Sequence, residues 1–163
     1  MSIYVTYYFI ASYVIWDLNE QEWFWDGAVV LAFEDLQLEL CCNQMEDLSI
    51  TTNTVDLDKS PLISWDPEGN YEWRKNSIEE LNLVVGKVLE NVYIAETEFC
   101  SWPKGEKFGS PKMTCTWLLN GLDFCFNKGF FKFFNALDEN GITNKLESDI
   151  KFRRVNLRGE VEV

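Results

Sequence analysis

A chain of 163 residues that is 47% hydrophobic and 15% aromatic, with seven Trp, fits one domain around a single sizeable core and excludes a disordered polymer. Its formal charge of −13 and isoelectric point near 4.3 exclude a broad basic face for nucleic acid or anionic membrane, because both polyanions would be repelled. No His is present, which removes Ser-His-Asp and Cys-His catalysis, His-liganded metal and imidazole general bases.

In chain order, Ser2 to Trp16 is rich in Tyr, Val, Ile and Phe and reads as a long strand or two. The opening MSIYVTYYFIASYVIW lacks a basic leader region and a small-residue cleavage site, and from Ile3 to Trp16 it is short of the ~20 residues that span a bilayer. Asp17 to Gly27 interleaves acids with aromatic residues and reads as a loop displaying Trp23 and Trp25. Val29, Leu31 and Phe33 then alternate with Val30 and Ala32, Glu34-Asp35 reverses the chain, and Leu36, Leu38 and Leu40 alternate with Gln37 and Glu39. This predicts a hairpin whose return strand carries an acidic outer face.

Asn43 to Asn76 is the least regular stretch, with turn pairs at Ser60-Pro61, Asp66-Pro67 and Gly69-Asn70 and candidate short strands at Leu48–Thr52 and Leu62–Trp65. Ser77-Ile-Glu-Glu80 has the form of a capping box, and Gly86 suits a helix stop, so one helix of about two turns is expected between them. Lys87 to Phe99 returns to strand, and Ser101 to Pro111 is a Pro/Gly loop.

Met113 to Ile142 is the best-marked part: three apolar segments punctuated by Asn120-Gly121, Asn127-Lys128-Gly129 and Asn140-Gly141. Asn-Gly supplies the positive φ values of a type I′ turn, so the stretch reads as an antiparallel meander. Leu122, Phe124 and Phe126 alternate with Asp123, Cys125 and Asn127, while Phe130, Phe131, Phe133 and Phe134 put rings on both faces of the next strand. Asp149 to Leu157 closes the chain as a strand bearing Lys151, Arg153 and Arg154. The whole is expected to be one domain, residues 1–163, mainly β: an antiparallel β-sandwich or strongly bent sheet with one short covering helix.

The chemistry left open is narrow. No G-x-x-x-x-G-K-[ST] phosphate loop and no G-x-G-x-x-G turn after a strand occurs, so no nucleotide cofactor is expected. A twelve-residue calcium loop laid over Ala136 to Glu147 puts Asp138, Asn140, Gly141, Ile142 and Glu147 on ligand positions but Ala136 on the first, so the stretch reads as a turn and no metal is expected. Five Cys at 41, 42, 100, 115 and 125 contain no C-x-x-C and read as buried free thiols in a reducing cytosol, which makes the chain a cytoplasmic protein. Carboxylate-only hydrolysis survives the lack of His; Glu96 and Glu98, two apart on a strand, would stand about 7 Å from each other on one face.

The acids are not evenly spread. Residues 1–58 hold eleven Asp or Glu and neither Lys nor Arg, residues 59–111 hold nine acids and six bases, and residues 112–163 hold seven and eight. Trp and Tyr ringed by carboxylates suit a partner rich in Lys and Arg, large rings serving as anchors and the surrounding charge raising the association rate. The candidate contact residues are Glu20, Glu22, Trp23, Trp25 and Asp26 together with Asp66, Glu68 and Trp73, on the expectation that their two loops share an end of the sheet.

The phrase Phe130-Phe-Lys-Phe-Phe-Asn-Ala-Leu-Asp-Glu-Asn-Gly-Ile142, in a small, acidic, His-free, β-rich chain, resembles the immunity proteins of bacterial polymorphic and contact-dependent toxin systems. The resemblance implies a protein that binds a secreted toxin domain, often a basic nuclease, and blocks it without performing chemistry. The expected function is therefore a non-enzymatic acidic protein that docks and neutralises a basic partner. The alternative is a carboxylate-dependent hydrolase or a β protein with a small-ligand pocket.

Overall fold

The structure is a computed structural model that describes residues 7–44, 47–105, 112–136, 139–145, 152–156 and 161–162. Its strands are β1 (Tyr7–Asp17), β2 (Glu22–Trp23), β3 (Val29–Phe33), β4 (Gln37–Gln44), β5 (Asp47–Thr52), β6 (Tyr71–Lys75), β7 (Val88–Ser101), β8 (Thr114–Phe126), β9 (Phe130–Asn135), β10 (Asn140–Thr143), β11 (Phe152–Asn156) and β12 (Val161–Glu162). One helix, α1 (Glu79–Asn82), interrupts them. All pair antiparallel in a single sheet of order β10-β9-β8-β7-β1-β3-β4-β5, with β2 and β6 on β1, β11 on β7 and β12 on β11. Of the two expected architectures, this is the bent sheet.

The bend is located on β1. One edge of this strand pairs with β7 through Tyr7 and Tyr8 and with β6 through Tyr13 to Asp17, so its partner strand is split. Between the two, the chain leaves as residues 76–86. Asn76 donates its N–H to the Ser12 carbonyl and accepts the Ser12 N–H on Oδ1, and the Gly86 N–H bonds the Phe9 carbonyl. The pairing of β1 with β3 shifts register between Phe9 and Ala11, at the same place. A bulge sharpens twist and bends a strand. Leu81 and Val84, fully buried, plug the gap so opened.

Folding over brings the halves onto one core. Phe9, Leu31 and Leu40 from one half and Phe124, Phe131 and Phe133 from the other have no exposed surface and lie in the same cluster. Phe9 bridges the halves directly, its ring centroid 5.7 Å from Phe126 and 6.4 Å from Phe131.

Asn140, on the β10 edge, then ties this edge to β4 and to the 25–27 loop. Its Oδ1 accepts the Cys42 N–H at 2.8 Å, its Nδ2 donates to the carbonyls of Trp25 at 2.6 Å and Gly27 at 2.5 Å, and its own N–H reaches the Trp25 carbonyl at 3.1 Å. The pairing of β3 with β4 ends at Leu40, so the Cys42 N–H has no partner on that side except this side chain. Asn140-Gly141 is therefore not a turn: both residues belong to β10, and the Ala136 N–H bonds the Glu139 carbonyl before them. Asn140 is also closed to calcium, and Asp138 and Glu147 lie outside the described residues.

Other expectations are corrected in the same way. Asn120-Gly121 sits inside the continuous strand β8, where the register steps from Ala95↔Gly121 to Glu96↔Leu119 and leaves Asn120 as the extra residue of a bulge. Gly121 is required by close approach, since a Cβ there would lie 2.0 Å from the Phe133 carbonyl oxygen. Asn127-Lys128-Gly129 does turn the chain, with the Phe126 N–H on the Gly129 carbonyl and Gly129 at φ 93°. The capping box does not form: Ile78 is the extended cap residue with no side-chain cap bond, Ser77 Oγ is buried without a partner, and the helix is a single turn. Leu62–Trp65 is a turn, closed by Asp66 N–H on the Ile63 carbonyl, and not a strand.

The cysteines also depart from expectation. Cys100 and Cys115 are directly opposed on β7 and β8 and form a disulfide, while Cys41, Cys42 and Cys125 are not in a disulfide. Among the described residues no helix is long and apolar enough to cross a membrane. Ser2–Thr6, residues 106–111, Asp149–Lys151 and Leu157 lie outside the described residues.

Replacing Asn140 with Ala leaves the Cys42 N–H and the Gly27 carbonyl without this partner, while the Trp25 carbonyl keeps the backbone N–H of residue 140; each buried group left unpaired costs about 1–3 kcal/mol. Asn140→Ala is expected to lower stability by about 3 kcal/mol in urea denaturation; a loss under about 1 kcal/mol would show that these bonds do not hold the halves together. Alkylation of the denatured, unreduced protein followed by mass spectrometry should modify three of the five cysteines, Cys41, Cys42 and Cys125. Modification of all five would refute the bridge.

Candidate functional site

The core occupies one face of the β1–β3–β4 half. The opposite face carries Ile15, Val30 and Glu39, one on each strand, and is covered by the irregular segment 53–70. That cover is pinned by Glu39, which is only 3% exposed. Its carboxylate accepts Thr51 Oγ1–H at 2.5 Å, Thr54 Oγ1–H at 2.8 Å and the N–H groups of Thr54 at 2.7 Å and Val55 at 3.2 Å. Burial pushes the carboxyl up, but these donors favour the ionised form and outweigh it, so Glu39 titrates below its ordinary value of 4.5. The return strand of this hairpin thus has a structural clamp where an outward, solvated acid was expected.

Beyond the clamp the chain turns through Asp56 to Lys59, whose side chains pair at 2.8 Å, and runs to Trp65. Hydrogen bonding from Lys59, and then from the Asp58 N–H, holds the Asp56 carboxyl below its ordinary range. Between this segment and the sheet lies an open cleft of about 480 Å³. Its floor is Ile15 and Trp73, paired across β1 and β6; one wall is Asp26 to Ala28, and the other includes Val55, Pro61 and Trp65.

The two acidic aromatic loops share this end of the molecule. Leu18 N–H bonds the Asn70 carbonyl, and the Phe24 ring packs on Trp65 at 5.4 Å and on Tyr71 at 5.0 Å. Glu20, Glu22, Asp26 and Glu68 are exposed, and among the described residues none of them forms an ion pair. Trp25 is 44% exposed.

Three candidates stand differently from expectation. Trp23 is not displayed: it is 5% exposed, sits opposite Trp16 in β2 and lies under Trp25 with ring centroids 4.4 Å apart. Asp66 accepts the Tyr71 hydroxyl at 2.6 Å, so part of its bonding capacity is internal. That bond, then burial and the charges of Asp66 and Asp17, push the Tyr71 hydroxyl up to about 12. Trp73 is half-buried and forms cleft floor. Trp65, 66% exposed on the rim, was outside the candidate set although its Trp-Asp pairing is visible in the sequence; Leu62, 91% exposed, had no signal.

As for metals, Glu98, Cys100 and Cys115 have donor atoms within 4.8 Å of one another. Metals take the thiolate, and both sulfurs are bonded to each other here. Glu96 is paired with Arg153 at 2.5 Å and not set against Glu98 as a second carboxylate across a cleft. Burial, and then Cys41, push the Cys42 thiol up to about 12, which keeps it a thiol. Compared with known proteins, the chain matches no family model, no curated protein and no solved structure.

Because the Glu39 carboxyl has a lower pKa folded than unfolded, its contribution to stability is present above the unfolded value and is lost as pH falls through the folded one. Urea midpoints from neutral pH down to about pH 3 should show the wild type losing stability on the acid side of 4.5. Glu39→Gln should be less stable at neutral pH by about 1–3 kcal/mol and should lack that part of the acid slope. Superimposable pH profiles for the two proteins would rule the clamp out.

Proposed function

We propose that this is a non-enzymatic binding protein that docks a basic protein partner on the acidic end formed by the 17–27 and 65–73 stretches, and that it serves as a toxin immunity protein. The observation that carries the reading is the set of exposed carboxylates, Glu20, Glu22, Asp26 and Glu68, which form no ion pair among the described residues and share one end of the molecule with the exposed rings of Trp25 and Trp65. Unneutralised charge around large rings is what a basic interface requires: the rings anchor, and the field speeds encounter and discriminates against acidic competitors. The arginines of β11 are engaged elsewhere, Arg153 with Glu96 and Arg154 with Asp123, so they do not neutralise this end.

The toxin part of the reading is supported by the resemblance of the Phe130–Ile142 phrase and by the excess of acid over base. We assign the protein to the cytoplasm on the three cysteines that stand outside the disulfide; the Cys100–Cys115 bridge pulls the other way, since cytosolic thiols are mostly kept reduced. A second reading, binding of a small ligand, is favoured by the cleft of about 480 Å³, a volume within the usual range for ligand pockets.

The test starts from the coding neighbourhood. A basic C-terminal domain of a secreted protein encoded beside this chain is expected to bind it, with affinity falling as salt rises and falling at least about tenfold in the triple charge reversal Glu20→Lys, Glu22→Lys, Glu68→Lys. The same domain should arrest growth when expressed alone and not when co-expressed with the wild type. Binding unchanged by the triple reversal would refute the docking face, and growth arrest unrelieved by co-expression would refute immunity.

A further inference from the structure

The cleft adds a specific recognition element to that face. We infer that it takes a single arginine side chain of the basic partner, with the guanidinium against the indoles of Trp65 and Trp73 and paired with Asp26; this rests on the reading of the acidic end as the docking face.

The cleft's composition suits a flat cation. Two of its lining side chains are indoles, and of its carboxylates Asp56 is already matched by Lys59 at 2.8 Å, which leaves Asp26 as the charge without an ion pair among the described residues. Glu22 and Glu68, exposed on the same end, raise the local concentration of any cation that approaches. An acid-lined site walled by rings repels an anion and leaves a neutral apolar guest without a partner for Asp26, whereas a guanidinium satisfies both features at once.

Arginine is preferred to lysine on this chain's own practice. Arg74 lies 3.9 Å above the Trp16 ring while bonding Glu72 at 2.6 Å, and Arg153 lies 4.6 Å from the Trp117 ring while bonding Glu96 at 2.5 Å. Both are the triplet of indole, guanidinium and carboxylate. The cleft holds the first and last members and no arginine of its own. Its one cation, Lys59, is an exposed ammonium already engaged by Asp56, and a lysine offers neither the planar stacking surface nor the two-pronged donor set.

The probes are three blocked tripeptides, acetyl-Gly-X-Gly-amide, with X arginine, lysine or citrulline, titrated into the protein while the indole N–H resonances are followed by NMR. The arginine peptide should shift the Trp65 and Trp73 signals saturably, the lysine peptide should bind at least about fivefold more weakly, and citrulline, which keeps the shape but loses the charge, should give no saturable shift. Asp26→Asn and Trp65→Ala, both at solvent-exposed positions, should each remove the arginine response while leaving the thermal transition in place. Equal responses to citrulline and arginine, or saturable shifts confined to other indoles, overturn the inference. The whole partner separates this from the docking-face reading. Affinity lost on reversal of Glu20, Glu22 and Glu68 but unchanged in Asp26→Asn and Trp65→Ala sinks the arginine cleft alone. Peptide binding in the cleft with no effect of the charge reversal sinks the docking face instead.

Discussion

A sheet that leaves its edges open has to be closed by something other than strand pairing, and here that is the amide of Asn140. Folding about β1 brings β4 and the 25–27 loop against β10, but the backbones there do not pair as a ladder. Asn140 supplies both an acceptor and donors, satisfying the Cys42 N–H and the carbonyls of Trp25 and Gly27, with the residue itself fully buried. An amide is suited to this because it presents donor and acceptor from one planar group without a charge to desolvate. An Asp at the same place would set a carboxylate against two carbonyl oxygens. Asn140 also fixes the position of the acidic loop, since Trp25 and Gly27 flank Asp26. The geometry of the candidate site is thus set partly from a strand remote in sequence.

Two kinds of acid follow from this arrangement, and they do opposite things. Glu39 is buried and ringed by donors, so its charge organises the wall of the cleft through Thr54 and Val55. Asp123, 2% exposed, is likewise internal and takes Arg154 at 2.5 Å. Removing either carboxylate would leave donors or a cation in the interior without a partner. Glu20, Glu22, Asp26 and Glu68 are exposed and, among the described residues, form no ion pair. A solvent-exposed, unpaired charge adds little to stability and raises the self-repulsion of an already acidic chain, so its presence on this end needs an explanation outside folding.

Much of the architecture was legible, because periodicity survives local misreading. The alternations at Val29–Phe33 and Leu122–Phe126 and the β-branched, aromatic run before Trp16 gave the strands, and the lack of helical periodicity gave a mainly β chain. What failed was the reading of Asn-Gly pairs as turns. Local propensity makes Asn120-Gly121 and Asn140-Gly141 equivalent to a hairpin loop, but in one case Gly is needed because Phe133 of the adjacent strand comes too close for a Cβ, and in the other Asn is needed for its amide. Misplacing the first turn also hid the disulfide, since only an unbroken β8 puts Cys115 opposite Cys100. The candidate site was half legible. Interleaved Trp and acid marked both loops, but strand pairing decides which ring faces inward, and the pairing of Trp23 with Trp16 across a two-residue strand buried one of the two rings expected to be displayed.

The distribution of ion pairs bears on why the acidic end is left open. Arg153 and Arg154 stand on β11, which pairs with β7 through residues 93–97, so they meet acids of β7 and β8 and lie on the other half of the bent sheet from the 17–27 loop. On the near half the described cations, Lys59, Arg74 and Lys75, are absorbed locally: Lys59 by Asp56, Arg74 by Glu72 and the Trp16 ring, Lys75 above the Tyr13 ring. The first 58 residues, having no Lys or Arg, cannot neutralise themselves. A folded chain could remove this imbalance with one or two surface lysines at negligible structural cost, since exposed substitutions usually change stability by less than about 0.5 kcal/mol. The rim of exposed carboxylates that form no ion pair among the described residues, beside two exposed indoles and an aromatic cleft, leaves the charge gap that the proposed docking of a cationic partner would fill.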